Sequence, residues 1–301
     1  MPGRPSSPGT RTGTRIGRAG IVCAIAVAVV ALVETAQALV APSRAPTTAD
    51  WRAASAELRQ GFRTGDLIVA APAWADPIMR MHVGDLLPIP VAARMDDARF
   101  GRVWEIAQRG ARAPEAAGER VVPERRFGAL TVMRIERPAA EVTYDFLERW
   151  QDAYVTRWDA AQRSSTPCPW ANDAFRCPTY GVEARRMLVE VDNTIRRAIL
   201  APPVANAVVG VQFPSVSLGR ELVVYVGLHD TWARKVPGTV NFEVWVGGAP
   251  AASTVVDNRS GWRRLRIDTS NRVGQTAAVR FHVSSRTPAS RLLAFAAEAR
   301  R

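Results

Sequence analysis

Leu222–Val246 reads LVVYVGLHDTWARKVPGTVNFEVWV, and its alternation of apolar and polar residues decides the fold of the second half of the chain. Successive side chains of a β-strand point to opposite faces, so alternation predicts one core face and one half-solvated face. Residues 240–246 and 222–228 both show this period. The stretch predicts two strands of a β-sandwich, and the residues between them, 229–238, predict an exposed loop too long for a tight hairpin.

Short alternating runs of this kind continue on both sides of the stretch, over 138–301. Up to ten short strands separated by Gly, Pro and Asn indicate an antiparallel β-sandwich, jelly-roll-like. The predicted strands are Val142–Arg149, Ala153–Trp158, Met187–Val191, Arg196–Leu200, Val208–Phe213, Leu222–Leu228, Val240–Val246, Trp262–Ile267, Ala277–Val283 and Leu292–Ala297.

Residues 42–137 have a different pattern and predict a small α/β domain. After a linker at 42–48, apolar residues at helical spacing begin near Thr48. A continuously apolar strand follows at 67–71, and Asp76-Pro77 opens a second helix with a capping carboxylate and an early proline. Further strands at 103–107 and 130–135 favour a partly parallel sheet. The predicted fold class is therefore α+β with two domains, 42–137 and 138–301.

Residues 1–41 predict an export segment. An Arg-rich start precedes an apolar run at 19–33 and the sequence Ala36-Gln37-Ala38, the order of a cleavable signal peptide. An uncleaved membrane anchor extending to about residue 41 is the alternative. Both alternatives place the rest of the chain outside the cytoplasm, in the periplasm or at the cell surface. Cys23 lacks the preceding small residue of a lipidation site.

Composition narrows the function classes. With 301 residues and 47% apolar content, the chain can bury two cores and is not a disordered protein. The net charge of +12 comes almost entirely from arginine, because Lys235 is the only lysine. These arginines are dispersed without a basic run, so we expect no nucleic-acid partner. A basic exported surface attracts anionic envelope polymers or lipids, but for dispersed charge we favour the alternative of a solvated surface.

Cys168 and Cys177 predict a disulfide. In an oxidising compartment a nearby pair most simply closes a loop, which would contribute about 2–3 kcal/mol. A zinc site needs further ligands, and the three histidines lie far off in sequence. We therefore expect no metal site and no cofactor.

Catalytic motifs are mostly absent: the chain has no G-x-S-x-G, H-E-x-x-H, P-loop or Rossmann fingerprint. Asp76, His82 and Asp85 are the weak candidates for an acid/base cluster, following a buried strand where α/β sites tend to form. The alternative, which we favour, is a helix cap, a surface histidine and a turn aspartate, because proximity in sequence does not establish convergent geometry.

The outward face of the predicted sandwich suggests carbohydrate binding. Aromatic rings stack on the apolar face of a sugar, while Arg, Glu, Asn and His bind its hydroxyl groups. We predict that the Trp245 ring stacks on the sugar. The alternative is that these residues bind nothing, because exposed aromatic and arginine side chains occur on many sandwiches without a ligand. The candidate binding residues are Tyr225, Asn241, Glu243, Trp245, Arg266 and His282.

Two segments resemble known families. The run from Leu222 to Asp230, with TVNFEVWVG (Thr239–Gly247), WRRLRID (Trp262–Asp268) and AVRFHVS (Ala278–Ser284), resembles the galactose-binding-like jelly rolls of carbohydrate-binding modules. This resemblance covers about the last hundred residues and implies a glycan ligand. Separately, Asp50-Trp51-Arg52 leading into Asp66–Val69 resembles the soluble region of protein-mannosyltransferase-like glycosyltransferases, whose many-helix catalytic part this chain lacks.

Together these patterns predict an exported, non-catalytic carbohydrate-binding or glycan-assembly accessory protein of the cell envelope. Two alternatives stay open. One is an envelope hydrolase or transferase that uses the Asp76, His82 and Asp85 region, and the other is a purely structural envelope protein.

The order of residues 1–38 generates a testable prediction. A C-terminal fusion to a reporter enzyme that folds only in an oxidising compartment should be active, because the chain after Ala38 is expected outside the cytoplasm. Mass spectrometry of the mature N-terminus distinguishes cleavage from anchoring. Activity only of a matched reporter that requires the cytoplasm would contradict the prediction.

Overall fold

The structure, a computed structural model, describes residues 18–40, 45–116, 119–120, 123–178, 182–229, 238–287 and 291–301. Strands dominate and pair mostly antiparallel, in a five-stranded, an eight-stranded and a six-stranded sheet. The helices are α1 (Arg18–Val40), α2 (Thr48–Gly61), α3 (Asp76–Val83) and α4 (Ile89–Ala92).

The five-stranded sheet lies in the first half of the chain. Its strands are β1 (Leu67–Ala71), β2 (Arg102–Gln108), β3 (Glu119–Arg120), β4 (Arg125–Phe127) and β5 (Leu130–Glu136). β1 pairs parallel with β2, as the sequence predicts, and β2 pairs antiparallel with β5. All five residues of β1 are buried, because α2 and α3 pack on one face of this sheet and Phe100, Ala113 and Ala116 pack on the other.

A capping box starts α2, whereas α3 has no side-chain cap. The Thr47 side chain accepts the Asp50 N–H at 3.2 Å, and the Asp50 carboxylate accepts the Thr47 N–H at 2.9 Å, which together cap α2. The predicted capping role of Asp76 is wrong. The N-cap of α3 is Ala75, and Asp76 lies one position inside the helix, where its carboxylate pairs with Arg80.

The other two sheets pack face to face around the largest core. The eight-stranded sheet contains β6 (Val142–Asp145), β9 (Trp170–Ala171), β10 (Ala174–Arg176), β11 (Glu183–Val191), β12 (Thr194–Leu200), β14 (Glu221–Leu228), β17 (Arg263–Asp268) and β19 (Leu293–Arg300). The six-stranded sheet contains β7 (Tyr154–Asp159), β8 (Ser164–Pro167), β13 (Ala207–Ser217), β15 (Thr239–Val246), β16 (Ala249–Asp257) and β18 (Thr276–Ser284). Inward residues from both sheets, among them Phe213, Phe242, Phe281 and Phe295, form this core.

The two strands predicted within Leu222–Val246 belong to different sheets. β14 lies in the eight-stranded sheet and β15 in the six-stranded sheet, so the chain crosses the sandwich between them. The predicted loop falls mainly on 230–237, outside the described residues. The predicted inward residues Val240, Phe242 and Val244 are fully buried.

The observed strands of the sandwich differ from the predicted ones in length and in number. The strand predicted over Val142–Arg149 ends at Asp145, because its carboxylate accepts the N–H groups of Leu147 and Glu148 and turns the chain. The sequence does not predict β8, β9, β10 or β16. The small residues of β16 lack the strong apolar alternation that marks its partner β15.

α1 makes an apolar surface. Several of its large side chains are exposed, including Ile21, Val22, Ile25, Val27, Leu32 and Val33. Among the residues that the structure describes, no helix meets the length and hydropathy needed to cross a membrane.

The outer face of the eight-stranded sheet is covered by the segment 93–98, which connects to the five-stranded sheet. The Arg197 N–H donates to the Ala93 carbonyl at 2.8 Å, and Met95 packs on an apolar patch of this face. Asp96 accepts two hydrogen bonds from the Arg300 guanidinium, each at 2.9 Å. It also accepts one at 2.6 Å from the Tyr225 hydroxyl. We call this surface, around Tyr225, Glu298 and Arg300, the covered face.

Burial of the hydrogen bonds around Asp96 changes the pKa values of the groups that form them. Burial alone would raise the pKa of Asp96, but hydrogen bonds from Arg300 and Tyr225 hold that pKa below its usual value. Burial and the Asp96 carboxylate raise the pKa of Tyr225 well above its ordinary value. The Tyr225 hydroxyl therefore stays protonated and donates to a charged carboxylate.

The ion pair generates a stability prediction. Asp96→Ala should lower the free energy of unfolding by about 2 kcal/mol, because it removes two hydrogen bonds of the Arg300 side chain, only 3% exposed, and the acceptor of the Tyr225 hydroxyl, and leaves Glu298 as the remaining partner of Arg300. Asp152→Ala is the control, since it breaks a pair with Arg149 at the surface and should cost at most about 1 kcal/mol. Urea-induced unfolding measures both, and equal losses would contradict a role for Asp96 in holding the covered face.

Candidate carbohydrate-binding face

The outer face of the six-stranded sheet carries two exposed aromatic residues on one strand. Tyr154 and Trp158 lie on β7 with exposed fractions of 65% and 41%. They alternate with the buried Val155, which shows that they point away from the core. We call this surface the open face. It is defined by Tyr154, Thr156, Trp158, Gln212, Asn241, Glu243, Trp245, Arg280 and His282.

The strand register arranges these residues in rows across four neighbouring strands. One row joins Trp245, Arg280, Gln212 and Tyr154, on β15, β18, β13 and β7. The next row joins Glu243, His282, Gly210 and Thr156 on the same strands. Neighbouring strands lie about 4.8 Å apart, so Trp245 and Tyr154 are separated by about 14 Å.

Glu243 connects two of the predicted site residues. Its carboxylate accepts a hydrogen bond from the Trp245 indole N–H at 3.1 Å and lies 3.6 Å from His282 Nδ1. The Trp245 and His282 rings have centroids 5.6 Å apart. Burial lowers the pKa of His282, and the neighbouring Arg280 adds to this effect. The neutral imidazole can therefore both donate and accept a hydrogen bond near pH 7.

The side chains of His282 and Thr156 approach each other over Gly210. A Cβ placed on Gly210 would lie 3.2 Å from the Thr156 hydroxyl oxygen and 3.6 Å from a carbon of the His282 ring. Since Gly210 has no side chain, these two hydrogen-bonding groups can lie close together across β13. Beside them, the Arg280 guanidinium donates to the Gln212 side-chain oxygen at 2.9 Å, which holds both side chains across the strands.

The sequence did not identify Tyr154, Trp158 or Gln212 as site residues. The signal was present for the two aromatics, because Ala153–Trp158 was predicted as a strand and they occupy its polar face. Nothing in the sequence indicated that this strand lies in the same sheet as Trp245. Only the pairing of β13 with both β7 and β18 brings them together.

The six predicted binding residues do not form one surface. Asn241, Glu243, Trp245 and His282 lie on β15 and β18 of the six-stranded sheet. Tyr225 and Arg266 lie on β14 and β17 of the eight-stranded sheet, so they cannot act with Trp245 on one ligand face. The Tyr225 hydroxyl donates a hydrogen bond to Asp96, and the Arg266 guanidinium donates one to Glu221 at 2.8 Å. The assignment of these two residues to the Trp245 site is corrected accordingly.

A cavity of about 420 Å³ lies beside Tyr225, between the 90–100 segment and the covered face. Its polar groups are tied to one another: Arg99 contacts Asp145 at 2.8 Å and Glu298 at 3.2 Å, and Arg300 contacts Glu298 at 2.7 Å. Burial raises the pKa of Glu298, against the opposing effect of Arg300. The network joins the covered face to the segment above it.

The side chains of the three catalytic candidates contact three different residues, although Arg59, the partner of Asp85, also donates to the His82 carbonyl at 2.8 Å. Asp76 pairs with Arg80 and Asp85 with Arg59, each at 2.6 Å. The His82 ring stacks on Trp51, with centroids 5.8 Å apart and planes 7° from parallel. These contacts account for Asp76, His82 and Asp85 in structural terms.

The predicted disulfide is confirmed. Cys168 and Cys177 are bonded, with Cα atoms 4.0 Å apart, and both are buried in the sandwich core. Cys168 follows β8 at the edge of the six-stranded sheet, and Cys177 follows β10 in the eight-stranded sheet. The bond therefore joins the two sheets at one edge. In the described part of the chain, no group of three or more His, Cys, Asp or Glu side chains is arranged to hold a metal ion.

Solved structures with partial similarity to this chain include carbohydrate-binding modules. The structure of CBM51-2 with GlcNAc and INT domains of Clostridium perfringens ZmpB matches with a TM-score of 0.34 and 18% identity, over 58% of this chain and 35% of that one. CBM51 of Clostridium perfringens GH95 with methyl-galactose matches with a TM-score of 0.29 and 11% identity, over 38% and 80%. CBM36 with calcium and xylotriose matches with a TM-score of 0.25 and 9% identity, over 40% and 94%.

This chain spans about a third of the ZmpB chain. The resemblance of the first segment to protein-mannosyltransferase-like enzymes finds no support in these matches. No protein-family model and no curated protein matches the chain.

Proposed function

We propose that this protein binds carbohydrate through the open face, as a non-catalytic module of an exported envelope protein. The observation that carries the proposal is the combination, on one solvent-facing sheet surface, of Trp245, Tyr154 and Trp158 with hydrogen-bonding side chains between them. The covered face is not a competing site for a long ligand, because segment 93–98 lies on it.

The chemistry of the open face suits a sugar. Aromatic rings offer flat apolar surfaces for the C–H face of a pyranose, and they lose little conformational entropy when a ligand covers them. The groups between the rings both donate and accept: Arg280 donates, Glu243 accepts, and neutral His282 does both. Alternating donors and acceptors match sugar hydroxyl groups, each of which donates one hydrogen bond and accepts others.

The side chains of the open face are held in place by the paired strands of the six-stranded sheet. Its side chains project from the interior of paired strands and are held by bonds between neighbours, from Trp245 to Glu243 and from Arg280 to Gln212. A preorganised surface loses less entropy on binding than a flexible one.

Export is part of the proposal and rests on separate observations. Residues 1–38 have the order of a signal segment, and the apolar side chains of α1 are exposed rather than buried in the fold. The Cys168–Cys177 disulfide supports an oxidising compartment. A glycan of the cell envelope or its surroundings is the corresponding partner.

Substitution of Trp245 tests the proposal. Trp245→Ala should abolish retention on an immobilised-glycan array, or weaken binding to a retained glycan at least about tenfold, because the stacking surface is lost. The free energy of unfolding should change by less than about 1 kcal/mol, since the ring lies on the outer face. Affinity electrophoresis and urea-induced unfolding give the two readouts.

Trp74→Ala is the matched control. This tryptophan is 64% exposed but lies outside the sandwich, between β1 and α3. It should leave both glycan retention and stability unchanged. A large loss of stability in Trp245→Ala with unchanged retention would show that Trp245 is structural and would refute the proposal.

A further inference from the structure

An open cleft of about 430 Å³ lies at the edge of the sandwich, beyond β7. Its walls include Tyr154 of the open face and Trp170 of β9, which is 40% exposed. Asp152 and Thr156 supply polar groups, and Cys168 lies at the base with the disulfide that joins the two sheets. The cleft thus combines two exposed aromatic rings with hydrogen-bonding side chains.

The Trp170 ring is held in place by a series of aromatic contacts. Trp170 and Phe175 are paired across the β9–β10 hairpin, and their ring centroids lie 4.9 Å apart. Phe175 in turn contacts the buried Trp150 edge-on, at 5.0 Å. Asn172 and Asp173 form the turn, both with positive φ, a conformation that these residues tolerate better than most. The exposed indole is therefore anchored to the core of the sandwich.

The disulfide sets the position of this hairpin relative to β7. Cys168 follows β8 and its N–H donates to the Val155 carbonyl at 2.9 Å, which extends the pairing with β7. Cys177 follows β10. The bond therefore ties the Trp170 hairpin to the strand that carries Tyr154.

The cleft continues a row of the open face. The row that begins at Trp245 crosses Arg280 and Gln212 and ends at Tyr154, which is itself a wall of the cleft. The pairing of β8 with β7 begins at Thr156 and is extended by the bond from Cys168 to Val155, so Tyr154 lies just beyond the paired region, where Pro169 also lines the cleft. A ligand that follows this row would pass directly from the sheet surface into the cleft.

We propose that the cleft between Tyr154 and Trp170 is a second subsite, and that one extended, unbranched oligosaccharide occupies the whole path from Trp245 to Trp170. This inference rests on the proposed carbohydrate binding and names its substrate class as the interior of a linear chain rather than a single terminal sugar. The path is at least three strand spacings, about 14 Å, plus the width of the cleft, which requires several consecutive sugar rings.

The charge along the path favours an uncharged chain. Arg280 and Glu243 carry opposite charges on neighbouring rows of the open face. In the cleft, Asp152 is paired with Arg149 at 2.8 Å. The charges along the path therefore compensate one another, which favours an uncharged chain over uronic acids or sulfated sugars.

A chain-length series tests the inference with the full chain. Isothermal titration calorimetry is carried out with cello-, xylo- and chito-oligosaccharides from disaccharide to hexasaccharide. In at least one series, affinity should rise by about tenfold or more between disaccharide and hexasaccharide, because only the longer ligand reaches both subsites.

Two single substitutions locate the subsites. Trp170→Ala and Trp245→Ala should each weaken hexasaccharide binding by about tenfold, whereas at most one of them should affect the disaccharide, which occupies one subsite. Trp170→Phe should recover part of the lost affinity, because a flat ring is restored. Trp74→Ala serves again as the control and should change neither affinity.

The outcomes separate this inference from the proposed function. Binding that is sensitive to Trp245 but independent of chain length, or unaffected by Trp170→Ala, would overturn the second subsite and leave the open face as a carbohydrate site. Equal weakening of disaccharide and hexasaccharide by both variants would assign Trp170 a structural role and also overturn it. Absence of binding to all three series and to the glycan array would overturn both proposals.

Discussion

The ion pair between Arg300 and Asp96 holds segment 93–98 on one outer face of the sandwich. Arg300 lies near the end of β19, the strand that pairs with β6, β12 and β14, and its guanidinium binds Asp96 through two hydrogen bonds. Because the Arg300 side chain is buried and shares its charge between Asp96 and Glu298, loss of the Asp96 contact would be costly. A cavity of about 420 Å³ remains between this segment and the covered face, whereas the six-stranded sheet presents the open face.

Side chains on the open face are positioned by neighbours rather than by loops. Trp245 donates a hydrogen bond to Glu243, and Arg280 donates one to Gln212. At the adjoining edge, the Trp170 ring packs against Phe175. Because each group projects from a paired strand or a tied hairpin, a ligand need not order a flexible segment when it binds. The disulfide contributes by fixing the edge at which the two sheets meet.

Alternation in the sequence was sufficient to predict most sandwich strands and the inward or outward direction of their side chains. It correctly placed Phe242 and Val244 inside and Trp245 outside, because the period of a strand determines its two faces. It could not assign strands to sheets. Tyr225 and Trp245 both point outward, yet they lie on opposite sides of the sandwich, since β14 and β15 belong to different sheets. Sheet membership depends on long-range pairing, which no local pattern encodes.

Hydroxyl-radical footprinting of the full chain, with and without a retained oligosaccharide, tests most directly the claim that one outer face is covered and the other receives the ligand. In the free protein, Tyr154 and Trp158 should be oxidised readily, while Tyr225 should be protected by segment 93–98. The oligosaccharide should then protect Tyr154 and Trp245 without changing Trp74. Rapid oxidation of Tyr225 in the free protein, or protection by the ligand at Tyr225 instead of Tyr154 and Trp245, would contradict this account.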